Sequence, residues 1–209
     1  MESSCPSLFV LAALLLTGGA SAAPPEIALP DLSLSSSLPI TLDADSSEFD
    51  RLNDRLLFKG LRISQGSLGI VADSAEASRL DFKDNLWTFR GNVVIESGNT
   101  RAWSDEATIR FRDHQMSKAE LRGGPAHFEQ RRVESDSIAE GRADIIQYDL
   151  TEGTIRMLDN AWLSDGANEV SGSRIAYDLT REYIVADGDD SGQVRMKIIP
   201  PEKRTPKAP

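Results

Sequence analysis

The sequence predicts an all-β protein of antiparallel strands joined by hairpin turns. Three observations lead there. Hydropathy through the middle of the chain alternates with a period of two, turn sequences recur at close spacing, and almost no segment carries a helical period. The clearest strand is DNLWTFRGNVVIESGN at 84–99, where Trp87, Phe89, Val93 and Ile95 alternate with Thr88, Arg90, Asn92 and Glu96. Further alternating segments are SLGIV at 67–71, ATIRFRD at 107–113, AHFEQR at 126–131, TIRML at 154–158, SRIAYD at 173–178, EYIVAD at 182–187 and QVRMKII at 193–199. LTEG, SDGAN and DGDDSG mark turns before Thr154, Glu169 and Gln193. Only SDSIAEGRADIIQ at 135–147 suits a short helix, and Gly141 interrupts it.

The strands also repeat. ADSSEFD at 44–50, ADSAEAS at 72–78, SDEATIRFRD at 104–113, EGRADIIQYD at 140–149 and SGSRIAYD at 171–178 share a small or acidic opening, and several end in aromatic-Asp. Each is followed by an apolar segment reaching Gly60, Gly91, Gly123, Asn160 or Gly188, where a bulge or tight bend fits. The repeat is roughly thirty residues long, the range of a stacked architecture. In Tyr148-Asp149 and Tyr177-Asp178 the Asp starts a turn and the Tyr packs on the sheet.

The chain has 209 residues, 40% hydrophobic and 27% charged, enough for one domain with a sizeable core. Its first part reads as an export signal. SLFVLAALLLTGGASAA at 7–23 has an apolar run too short for a membrane span and ends in the small residues Ala20, Ser21 and Ala22. The expected organisation is a signal peptide at 1–22, a Pro- and Ser-rich lead-in at 23–39, a β domain at 40–199 and a tail at 200–209. The leading segment carries Glu2 and no Lys or Arg, so a retained membrane anchor stays open as the alternative. Cys5 is the sole cysteine and precedes the apolar run, so no disulfide framework is expected.

A formal net charge of −10 argues against nucleic acid as a partner. The two histidines, His114 and His127, form no metal-ligand spacing, and no nucleophile elbow or phosphate loop is present. The acids of DGDDSG read as turn chemistry rather than a Ca²⁺ loop. These residues predict no enzyme, no cofactor and no metal. A parallel β-helix acting on polysaccharide, the rival of another class, calls for shorter coils of roughly twenty to twenty-five residues.

The units ADSSEFD with FKG, RGNVVIESGN with SDEATIRF, IQYDLTEGTIRML and VSGSRIAYD resemble the OstA-like (LptA-type) family across about 40–199. The resemblance implies a bent antiparallel β-jellyroll, open along one side, whose apolar groove holds the acyl chains of lipopolysaccharide. It implies a periplasmic carrier that bridges inner and outer membranes, with the inner- and outer-membrane components of the export machinery as partners. It also implies head-to-tail self-association through terminal strands, here near 40–50 and 193–199. A membrane-anchored LptC-like relative and a β-scaffold without lipid remain the alternatives.

On this reading the groove is lined by Leu68, Ile70, Trp87, Phe89, Val93, Ile95, Ile109, Phe111, Leu121, Phe128, Ile155, Met157, Leu163, Ile175 and Tyr177, with Tyr183 and Val185 also inward. A closed sandwich would use the same residues as core. Arg90, Arg110, Arg112, Arg131 and Arg132 are rim candidates for lipid phosphates, with solvated outer-face charges as the plainer reading.

Overall fold

A computed structural model describes residues 38–199 apart from 79–82, 132–136, 179–180, 182 and 189–191. The expected signal, lead-in and tail lie outside the described residues, apart from Leu38 and Pro39. So does Arg132.

The described chain forms twelve strands in one antiparallel sheet: β1 Thr41–Asp43, β2 Ser46–Asp50, β3 Arg55–Gln65, β4 Leu68–Ala77, β5 Asp84–Ser97, β6 Thr100–Arg112, β7 Gln115–Arg131, β8 Ile138–Asp149, β9 Thr154–Ser164, β10 Asn168–Asp178, β11 Tyr183–Asp187 and β12 Arg195–Ile198. Neighbours in sequence are neighbours in the sheet from β3 to β11, and the two ends do not pair with each other. The fold is therefore an open antiparallel jellyroll. Each end is completed by two short strands. β1 and β2 pair with opposite halves of β3, and β12 and β11 pair with opposite halves of β10.

The long strands bend halfway, and the bend has a repeating chemistry. Register shifts lie at the same level in β4–β5, β5–β6, β6–β7, β7–β8, β8–β9 and β9–β10. Left-handed backbone appears there at Gly60, Gly91, Asn92, Asp159 and Asn160. A carboxylate from earlier in the chain lies against four of the bends. Asp73 Oδ2 accepts from Asn92 Nδ2 at 2.8 Å, Asp105 Oδ2 from the Gly124 backbone N–H at 3.2 Å, and Asp144 Oδ2 from Asn160 Nδ2 at 2.8 Å. Asp45 packs on Gly60, and Ser173 Oγ donates to the Gly188 carbonyl. The opening of each sequence repeat, acidic in four and Ser173 in the fifth, thus lies against the glycine or asparagine of the next bend.

The bend divides the sheet into two arms, A and B, facing across one hydrophobic core. Inward residues run in rows across the strands. Arm A carries Leu42, Ile63, Ile70, Ile95, Ala102, Phe128, Gly141, Leu163, Val170 and Met196 in continuous register. Arm B carries Phe58, Ala75, Phe89, Ala107, Leu121, Ile146, Met157, Ile175 and Ala186, and beside them Leu56, Ala77, Trp87, Ile109, Ala119, Tyr148, Ile155, Tyr177 and Ile184. Hairpin turns form the two lips. Asp50, Asp149 and Asp178 start turns on the arm B lip, each accepting backbone N–H groups two or three residues on, as aromatic-Asp implies.

Of the segment 135–147, which alone suited a short helix, 135 and 136 lie outside the described residues, and residues 138–147 belong to β8. Its inward residues before the bend are Ala139, Gly141 and Ala143, small groups that leave no greasy alternation to read. The bend at Asp144 then shifts the phase, so Ile146 and Tyr148 continue the inward face.

At Gly91, φ is +77° and an added Cβ would lie 2.9 Å from Asp73 Cβ. Gly91→Ala therefore incurs both a clash and a left-handed penalty of about 1–2 kcal/mol. Asp73→Ala loses about 1 kcal/mol with its hydrogen bond. Urea unfolding is expected to show Gly91→Ala as the more damaging change, with Asp73→Ala relieving it only in part because the φ strain remains.

Candidate lipid-binding trough

All fifteen residues from Leu68 to Tyr177 expected to line the groove point inward and are buried. Ile70, Ile95, Phe128 and Leu163 share the arm A row. Phe89, Leu121, Met157 and Ile175 share one arm B row, and Trp87, Ile109, Ile155 and Tyr177 the other. Leu68 lies at the arm A lip beside Ser97, Val93 at the bend opposite Ser104, and Phe111 at the arm B lip opposite Met116.

Tyr183 and Val185 are corrected. They sit on the outer face, 61% and 39% exposed, while Ile184 and Ala186 turn inward opposite Tyr177 and Ile175. A one-residue displacement in register exchanges the faces of a strand, and β11 is too short and too evenly apolar to fix it from sequence. Other inward groups carried weaker signals. Leu56, Phe58, Leu61 and Ile63 belong to β3, Ile146 falls in the segment that suited a helix, and the alanines read as neutral.

The trough is filled unevenly. Trp87 stacks between Phe58 and Phe89, with centroids 5.7 and 6.0 Å apart, and all three face Ala75, Ala77 and Ala107. Large rings beside small neighbours close this end of the core. Beyond it lies a pocket of about 30 Å³ with an apolar exposed surface, running between the arms from Thr100 at the arm A lip past Ile95, Ala102, Leu121, Phe128 and Ile146 to Ile155 and Tyr148. At the β12 edge the inward face emerges into solvent, with Met196 70% and Ile198 72% exposed. Phe49 is the exposed inward residue at the opposite edge.

Charged groups occupy the outside. On arm B, Arg55 pairs with Glu76 at 2.8 Å, and Arg90 reaches Glu106 at 2.9 Å and Glu76 at 3.7 Å. Arg110 pairs with Asp84 at 3.5 Å, so Arg90 and Arg110 are members of outer-face ion pairs rather than rim groups awaiting phosphate. Arg112 and Arg131 are exposed near opposite lips. On arm A, Trp103 stacks on His127 at 4.4 Å and Arg142 lies 4.3 Å over Trp162, an aromatic and cationic ladder across four strands. Among the described residues no group of three or more His, Asp or Glu is placed to hold a metal ion.

This sequence matches, over residues 70–183, the family described as LptA/(LptD N-terminal domain) LPS transport protein. The chain belongs to that family. Among curated relatives, lipopolysaccharide export system protein LptH of Pseudomonas aeruginosa is 27% identical over 142 residues, 65% of this chain and 79% of LptH. LptA of Haemophilus influenzae is 27% identical over 136 residues, 64% of this chain and 77% of LptA. LptA of Escherichia coli K12 is 24% identical, over 60% and 69%. These relatives are named for export rather than for a reaction. The crystal structure of P. aeruginosa LptH, titled the LptA-homologous periplasmic component of the lipopolysaccharide transport device, shares the fold. Its TM-score is 0.51 at 21% identity, covering 78% of this chain and 96% of that one. The LptA-family jellyroll expected from sequence is therefore the fold observed.

The outer ion pairs set an acid limit on this fold. Arg55 donates to Glu76 and holds its carboxyl below the ordinary value. Lys197 does the same for Glu169, aided by the Trp162 side chain. At Asp149 burial pushes upward, but Lys118 and the Glu152 and Thr151 backbone N–H groups together outweigh it and leave the carboxyl lowered. A carboxylate depressed in the folded state stabilises fully above its unfolded pKa and stops doing so as pH falls through the folded one. Urea midpoints should hold steady above about pH 5 and fall as the medium is acidified below pH 4, where unfolded carboxylates titrate. Glu76→Gln should make that fall shallower.

Proposed function

We propose that this chain is a lipopolysaccharide carrier, working in the periplasm between inner and outer membranes and holding acyl chains between arms A and B. The single observation that carries the reading is the continuous set of inward apolar rows in a sheet that never closes. Family membership and the export-system names of the relatives support it. Burying a methylene is worth about 0.8 kcal/mol, so a few chains supply ample affinity without charge attraction. That suits a protein of net charge −10 carrying an anionic lipid whose head group stays in solvent beyond the lips.

The apolar pocket between the arms measures about 30 Å³, less than a chain needs, so a chain enters as the arms part about the bend. No bond is made or broken in this function, and movement along the trough draws its energy from partner proteins of the export machinery. The 1–22 segment directs export and 40–199 is the carrier domain. The outer edges of β1, β2, β11 and β12 offer unpaired backbone to a neighbour, and we assign head-to-tail self-association and docking to the membrane components to them.

Two outcomes check this reading. Photo-crosslinking probes at Leu121, Phe128 and Ile155 should capture lipopolysaccharide, and probes at Arg90 and Arg110 should not; equal capture on both faces would contradict it. Met196→Pro should abolish self-association while the monomer stays folded, because Met196 pairs only at the edge with Val170. Ile109→Glu, by contrast, places an unpaired charge at a fully buried position and should unfold the protein.

A further inference from the structure

Gly141 is the one glycine in the arm A inward row, and its place there is not explained by backbone conformation, since its φ is not left-handed. Space explains it. A Cβ on Gly141 would fall 2.6 Å from Phe128 Cζ and 3.1 Å from Met157 Cε. Gly141 is the cross-strand partner of Phe128, so the missing side chain is a notch that lets the Phe128 ring lie back against β8. On its other side the same ring borders the apolar cavity of about 30 Å³ between the arms. Ala102, the partner of Phe128 on β6, also borders that cavity, as does Ala119 on arm B. Phe128 is therefore held between a notch and an apolar pocket.

We propose that the Gly141 notch and the Phe128 ring set where a saturated alkyl chain enters the trough. The inference rests on the carrier reading above. Its physical basis is local cohesion. Groups lining a void already lack contacts on one side, so parting the arms there breaks fewer of them than parting the Trp87 stack would. A pocket whose exposed surface is wholly apolar also presents a guest chain with no polar group to strip of water. The notch keeps this void open by giving the ring somewhere to recede. With a methyl group at 141 the ring is driven into the void, and the entry point is filled by the protein's own side chain. The Phe58–Trp87–Phe89 stack then bounds the accessible length, so chains occupy the β7–β12 side first.

The test is equilibrium binding of purified lipopolysaccharide and of a dansyl-labelled undecanoic acid to the full chain and four variants, with melting temperatures taken in parallel. Gly141→Ala should weaken both ligands about tenfold, the equivalent of roughly two methylenes of burial. Phe128→Ala removes a trough-lining ring and sets the reference affinity against which the double variant is read. In the Phe128→Ala background, Gly141→Ala should have no further effect, because no ring remains to be displaced. Ala102→Ile, which fills the void from β6 without touching the notch, should reproduce the loss and serves if Gly141→Ala melts too low to assay. Unchanged binding in folded Gly141→Ala or Ala102→Ile, or an undiminished Gly141→Ala effect without Phe128, would overturn the inference while leaving the carrier reading intact. No binding of either ligand to the parent chain would instead overturn the carrier reading on which it stands.

Discussion

The bend governs this molecule. A sheet of long strands has a natural twist but no reason to fold sharply on itself, and every strand here would otherwise continue straight into solvent. The left-handed residue or bulge at the midpoint turns the chain, and at β5, β7 and β9 a carboxylate from the strand before it ties down the bend. Asp73 with Asn92, Asp105 with Gly124 and Asp144 with Asn160 repeat one small arrangement at two-strand intervals. Because all of them lie at one level, six register shifts add up to a single fold line rather than scattered irregularities. Two faces that would each be half wet are brought together, and their apolar rows become one core.

That arrangement was partly legible before the structure. The acidic openings and the Gly or Asn positions were visible as a repeat, and Gly60, Gly91, Gly123, Asn160 and Gly188 all fall at the fold line. What the repeat meant physically, an acid on one strand serving a bend on the next, needed the register. The inward face could be read wherever large side chains alternate, as in β5 and β6. It failed where alternation rests on alanine and glycine, as in the first part of β8, or where a short edge strand is apolar on both faces, as in β11. The void was invisible because it depends on which small residues meet across the arms, Ala102 on one and Ala119 on the other.

The distribution of chemistry between the faces follows the same logic. Ionic groups are paired with one another on the outside, where exposed pairs contribute little individually but keep an acidic surface ordered. The interior is apolar, and polar inward groups such as Gln65, Ser97, Thr100 and Gln130 gather at the arm A lip. A trough greasy at depth and polar at its mouth matches an amphiphile that inserts tail first. The sheet edges are left open at both ends of the strand order, and the proposed head-to-tail association draws on them.

The account stands on the two arms parting about the fold line to admit lipid. The most direct measurement is the lip-to-lip distance by double electron–electron resonance, with spin labels on Asn99→Cys in the β5–β6 turn and His114→Cys in the β6–β7 turn, and Cys5→Ser to remove the native thiol. Lipopolysaccharide should shift the distribution to longer distances, and the shift should reverse when lipid is removed. A distribution unchanged by bound lipopolysaccharide would contradict the account, because the apolar pocket between the arms, about 30 Å³, is too small for a chain.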